Sequence, residues 1–294
     1  MNMYEKIEKV SSIRSELGEG PCWDEIEKTI YWVDIIKKNI HSYNFEKNIE
    51  NTISLKKYVG SIGLRKTGGL IAAIEDGFYF INEKSENIKL IKNVSGNINK
   101  RFNDGKVDAL GNFWAGSVSL DEKQPIGRMY CLKSNLEMIG LFNNITISNG
   151  ITWSLDNKKM YYIDTPTMRV DVFDFDIENN NLSNRRTLLK IPREIGYPDG
   201  MTIDIDDKLW IAHWGGYQVC RWDPDTKKIL ERIKIPAKRV SCCSFGGNDL
   251  SDLFITTAKS GFTENINETN DKDSGFLYKI PTKTIGLKSF RFSY

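Results

Sequence analysis

Apolar positions in this chain come in short bursts separated by polar turns. Runs such as TIYWVDI, GLIAAIEDGFYFI, FWAGSV, MYYIDT, KLWIAHW, DLFITTA and GFLYKI are rich in β-branched and aromatic residues, which suit a pleated, half-buried surface. Between them lie turn clusters: EKNIEN, KTGG, ALGN, SLDN, IENNNLSN, IDDK, DPDTKK and NETNDKDSG. No stretch of about 12 residues sustains the apolar period of a helix. The pattern predicts an all-β protein.

The bursts also repeat. Segments beginning near Ser15, Gly60, Asn103, Ser148, Pro198 and Ser241 follow one another at a spacing of roughly 45 residues, enough chain for a four-stranded antiparallel sheet. Most run as a loop, an apolar strand, a turn and an aromatic strand. A third strand such as RVDVFDFD or QVCRWDPD follows, then an edge strand such as RRTLLKI or ILERIKI. Radial packing of such units explains the regular spacing and limits exposed strand edges, which a two-sheet sandwich would not do. The expected architecture is a six-bladed β-propeller of four-stranded antiparallel blades, one domain over residues 1–294. The N-terminal strand EKIEKVSS and the C-terminal strand LKSFRFSY are expected to pair and close the ring. The second and sixth repeats, opening SIGLRK and SFGGND, match the pattern least.

Composition narrows the function classes. The 41 basic residues nearly balance the 39 acidic ones and are spread along the chain, which gives no support to a nucleic-acid or membrane partner. No apolar run approaches the roughly 20 residues that cross a bilayer, and MNMYEKIEKV lacks the apolar core of a secretion signal, so a cytoplasmic location is expected. Cys22, Cys131, Cys220, Cys242 and Cys243 are odd in number and form no C-x-x-C, and they read as buried small apolar residues.

Candidate chemistry lies at the starts of the repeats. In four of them an acid or amide precedes a glycine: Glu19-Gly20, Asp104-Gly105, Asn149-Gly150 and Asp199-Gly200. Taken singly, D-G and N-G pairs are ordinary turn signals. Taken as equivalent positions around an axis, Glu19, Asn149 and Asp199 converge. Two carboxylates and an amide gathered in a confined funnel repel one another unless a cation sits among them. An oxygen-only donor set favours a hard divalent ion, with Ca²⁺ first and Mg²⁺, Mn²⁺, Zn²⁺ or Fe²⁺ as further candidates.

At these residues the chain resembles the senescence marker protein, gluconolactonase and luciferin-regenerating enzyme family. The resemblance runs nearly end to end through GEGPCWD, RFNDGKVDALGNFWAGS, SNGITWSLDNKKMYYIDT, YPDGMTIDIDDKLWIAHWGG and SCCSFGG. It implies a six-bladed propeller that hydrolyses sugar lactones with one divalent cation. The metal ligands it implies are Glu19, Asn149 and Asp199, and the substrate contacts Arg101, Asn103 and Asp121, the last in place of a longer glutamate.

The expected mechanism polarises the lactone carbonyl on the cation and activates water with Asp199 as base. Asp104 is a second candidate base, although a turn hydrogen bond is its more ordinary role. His213 is expected either to border the pocket or to be a hydrogen-bonded rim residue. The repeated tryptophans Trp23, Trp153 and Trp210 read as core between blades. Two other functions use the same ligands: a calcium-binding regulatory propeller without catalysis, and a broader metal-dependent esterase or organophosphatase. The expected partner is a small sugar lactone, and the expected state a monomer or weak homo-oligomer.

Overall fold

In the computed structural model residues 7–82, 87–94, 99–263 and 271–294 are described. Residues 5 and 6 of the expected N-terminal strand and 267–270 of the last turn cluster lie outside them. The described residues are almost entirely strand and turn, with two short 3₁₀ turns at Thr165–Thr167 and Arg193–Ile195. The expected all-β class holds.

The strands form successive antiparallel units of four. Three units are separate four-stranded sheets, and the unit opening at Val59–Arg65 gains a fifth strand. The last two units are joined into one sheet through a single pairing, Trp214 with Arg239. The units open with the strands Gly18–Asp24, Val59–Arg65, Lys100–Val107, Ser148–Trp153, Tyr197–Ile203 and Arg239–Gly246. These opening strands pack each on the next, and the last packs on the first. The layout is consistent with a propeller.

Packing follows from the composition of the strands. Apolar clusters lie between neighbouring units. Tyr31, Val33 and Ile40 of the first unit meet Val59, Ile62 and Leu64 of the second, and Trp23 and Trp32 meet Phe254 of the last. Trp114, Trp153 and Trp210 are buried in the equivalent seams. Trp114 and Trp210 donate their indole N–H to Asp108 and Asp204, each six residues upstream and each at 2.8 Å, so burial leaves these two indoles paired. The tryptophan expectation holds. All five cysteines are free and four are buried, as their sequence context suggested.

Closure by mutual pairing of the chain ends is not what the structure has. Glu8–Lys9 pairs antiparallel with Tyr278–Lys279 and supplies the outer strand of the last unit. Arg291–Phe292 instead runs parallel to Leu64–Arg65 of the second unit. The reason is the path of the tail. Gly286 is held by the carbonyl of Leu250, Arg291 reaches Asp24 at 2.6 Å, and the Ser293 N–H reaches the Gly111 carbonyl at 3.1 Å. Phe292 is fully buried. The tail crosses several units and does not end beside the N-terminal strand.

Candidate functional site

Each opening strand carries a register shift against its partner at an equivalent place. The shifts fall between Glu19 and Cys22, Val59 and Ser61, Phe102 and Gly105, Ser148 and Ile151, Pro198 and Met201, and Val240 and Cys242. A bulge re-aims the side chains around it, and in four of the units it brings Glu19, Asn103, Asn149 and Asp199 to one cavity. Gly20 has φ +51, a left-handed conformation that costs a glycine little.

The segments leading into two of these strands are clamped in the same way. Asp34 accepts the backbone N–H groups of Glu16 and Leu17 at 2.8 and 3.2 Å. Asp164 accepts those of Thr146 and Ile147 at 3.1 and 2.9 Å. Each aspartate ends the second strand of its unit, so the chain arrives at Glu19 and at Asn149 already held.

Glu19, Arg101, Asn103, Asn149 and Asp199 line one cavity of about 240 Å³, together with Glu122 and Thr165. Its wall is completed by Leu17, Ile147, Tyr197, Trp214 and Phe262. Glu19, Asn149 and Asp199, from three different units, are each no more than 5% exposed. Burial first, and the neighbouring Asp104 charge second, push the Glu19 carboxyl up to about 8. Burial and then Glu19 push Asp199 well above the ordinary carboxylate range. Asp199 Oδ1 is buried without a donor.

A chain of polar contacts runs around the cavity. Arg101, itself fully buried, gives Nη2 to Glu122 Oε1 at 2.6 Å and Nη1 to Asn103 Oδ1 at 2.5 Å. Asn103 Nδ2 donates to the Ser148 carbonyl at 2.7 Å and to Asn149 Oδ1 at 2.9 Å. Asn149 Nδ2 donates to Thr165 Oγ1 at 2.7 Å, and Thr165 donates to the Pro198 carbonyl at 2.8 Å. The Arg101 guanidinium also lies over the Phe262 ring, 4.3 Å from its centroid. Arg101 Nε has no acceptor.

Three readings of the sequence are corrected here. Asp121 is exposed and does not line the cavity. It accepts the Ser119 hydroxyl at 2.6 Å and the backbone N–H groups of Lys123 and Gln124, the turn-capping work that a short carboxylate does well. Its neighbour Glu122, at φ +53, turns back to Arg101. Asp104-Gly105 is also not equivalent to the other pairs. The bulge of its unit holds Asn103 and Asp104 where others hold Asn149-Gly150 and Asp199-Gly200, so Asn103 takes the ligand-like place. Asp104 lines a different cavity, toward the far ends of the same strands, and accepts the Gly105 N–H at 2.7 Å, the turn role expected of it. Finally, His213 is wholly buried beside Trp222 and does not border the pocket; burial lowers its pKa to about 4.

Sequence reasoning missed Glu122 and Thr165. Glu122 left a faint signal in the adjacent D-E pair, of which one residue had to cap the turn. Thr165 left a trace in the D-T-P triplet that ends an aromatic strand.

Comparison with known proteins adds to this geometry. Residues 17–259 match the model of the SMP-30/Gluconolactonase/LRE-like region, most of the chain and all the polar cavity residues named above. The chain belongs to this family. It is 40% identical to regucalcin of Danio rerio over 259 residues, 87% of this chain and 88% of that one. It is 35% identical over 281 residues to Bacillus subtilis YvrE, provisionally named a sugar lactone lactonase, covering 95% and 96% of the two chains. A solved structure of a luciferin-regenerating enzyme superposes with a TM-score of 0.91 at 30% identity, covering 98% of this chain and 99% of that one. Family membership supports sugar lactone hydrolysis broadly. Among the described residues no helix is long and apolar enough to cross a membrane.

Proposed function

We propose that the chain is a single-domain, six-bladed propeller acting as a divalent-metal-dependent lactonase on small sugar lactones. The observation that carries this reading is the meeting of Glu19, Asn149 and Asp199, buried and drawn from three units, on one cavity.

The donors fit a hard cation. Two buried carboxylates crowd each other, Asp199 Oδ1 has no donor, and the third side chain is a neutral amide whose oxygen keeps a lone pair. Glu19, Asn149 and Asp199 would hold the ion, which would supply Lewis acidity toward a lactone carbonyl. Ca²⁺ is the first candidate because large oxygen-ligated sites suit it.

The chain's own groups do the rest. Asp199, through the carboxylate oxygen that the ion leaves free, would take a proton from the attacking water and return it to the ring oxygen as it leaves. Arg101 walls the cavity, and its Nε, which has no acceptor, is a donor for a substrate oxygen. Asn103, whose N–H groups are both committed, orients Asn149 and leaves acceptor capacity for a hydroxyl. Glu122 presents a carboxylate to the substrate's hydroxyls. The test is hydrolysis of an aldonolactone panel by chelator-stripped and metal-restored protein. Glu19→Ala and Asp199→Ala should fold normally and lose turnover by at least about 100-fold, in line with the loss of a site that stabilises developing charge. Full activity in both variants would remove these residues from the chemistry.

The aliphatic and aromatic wall of Leu17, Ile147, Tyr197, Trp214 and Phe262 favours a second reading, a wider esterase range. Relative rates on sugar lactones and aryl esters decide between the two.

A further inference from the structure

We propose that Thr165 is a positioning residue that fixes which face of the Asn149 amide meets the cation and sets the spacing between Asn149 and Asp199. The inference rests on the metal reading above.

The protons available along the polar chain fix the orientation of each amide. Arg101 can only donate, so the atom of Asn103 that it meets must be the oxygen. The Asn103 amide nitrogen then has two protons, and they go to the Ser148 carbonyl and to Asn149. The Asn149 atom facing Asn103 is therefore Oδ1. At the other end, the Pro198 carbonyl can only accept, so it claims the single Thr165 hydroxyl proton. Thr165 Oγ1 is left as an acceptor, and the atom of Asn149 that meets it must be the nitrogen. Both ends of the chain force the same amide orientation. A flipped Asn149 would set two N–H groups against each other at Asn103 and two lone pairs against each other at Thr165.

Thr165 does a second thing. Its hydroxyl touches Asn149 on one unit and, on the next, the carbonyl of the residue before Asp199. One oxygen thus spaces two of the three ligand-bearing strands. The hydroxyl is itself held, because Thr165 opens a 3₁₀ turn whose backbone N–H donates to the Ile147 carbonyl at 3.1 Å, and Asp164 clamps the same segment. Outer partners of this kind orient a ligand and tune its affinity without touching the ion.

The test is calorimetric titration of Mn²⁺ into chelator-stripped protein, with no substrate present. Thr165→Val should bind about tenfold more weakly or worse, as loss of an outer partner usually does. Thr165→Ser, which keeps the hydroxyl, should stay within about threefold of the parent. The discriminating arm repeats the substitution in an Asn149→Asp background. A carboxylate has no amide face to orient, and its second oxygen would oppose Thr165 with no proton between them. There Thr165→Val should cost less than about threefold, whereas a purely structural role would cost the same in both backgrounds. Thr165→Ala replaces the valine variant if the latter does not fold. Equal affinity of parent and valine variant, or an equal loss in both backgrounds, overturns the inference and leaves the metal reading intact. A parent that binds no divalent ion overturns both.

Discussion

Asp121 and Glu122 are neighbours with opposite fates, and the difference is one methylene plus one backbone angle. The shorter side chain reaches the N–H groups of its own turn, while the longer one, on a left-handed residue, reaches the buried Arg101. Removing Glu122 leaves a guanidinium with 1% exposure short of its counter-ion. Glu122→Ala is expected to cost on the order of 2 kcal/mol in a urea melt, discounted for the partial exposure of the carboxylate, and to lower kcat/KM by at least about tenfold. Asp121→Ala should change kcat/KM by less than about threefold. The reverse order would mean that the structure has the roles inverted. His213 yields a prediction of a different kind. Its folded pKa of about 4 lies below the unfolded value of about 6.5, so between those values the unfolded chain binds a proton that the folded chain refuses. Its neutral burial therefore makes stability fall as pH drops through that window. His213→Gln should lose less stability between pH 7 and 4.5 than the parent, and parallel curves would show that His213 does not titrate as described.

At the scale of the strand, what builds the site is the repeated bulge. The register shift in four of the opening strands brings Glu19, Asn103, Asn149 and Asp199 to one cavity. The spacing of the repeats was legible in the sequence, because turn clusters and aromatic runs alternate regularly. So was the meeting of Glu19, Asn149 and Asp199 on one cavity, since an acid or amide before a glycine stands at the bulge in those units. The one-residue offset that makes Asn103, not Asp104, the equivalent position was hidden, because RFND carries no glycine at the bulge and the next D-G pair mimics the others. A bulge needs tight backbone approach as well as direction. A β-carbon at Gly150 would sit 2.7 Å from the carbonyl oxygen of Asp199. Gly150→Ala is expected to cost about 1–3 kcal/mol and to weaken divalent-ion binding, because the strand carrying Asp199 must move to admit the methyl group. Unchanged stability and affinity would show that the hub is looser than the structure has it.

At the scale of the whole molecule, the apolar seams make the ring of contacts, and the two chain ends reinforce it separately. The N-terminal strand fills the last unit. The C-terminal tail ties Leu250, Asp24, Leu64 and Gly111 across several units through Gly286, Arg291 and Ser293. Short terminal strands carry weak register signals, so sequence could show that both ends were spare strands but not which partner each would take. The seams matter to the proposed function because Glu19, Asn149 and Asp199 come from units far apart in the chain, and their spacing depends on the seams between them. Anomalous diffraction from crystals soaked in Mn²⁺ measures that spacing directly. The account requires one strong peak within about 2.0–2.6 Å of oxygens from Glu19, Asn149 and Asp199 together, lost in crystals of Asp199→Ala. A hub without a peak, or a peak coordinated elsewhere, would contradict it.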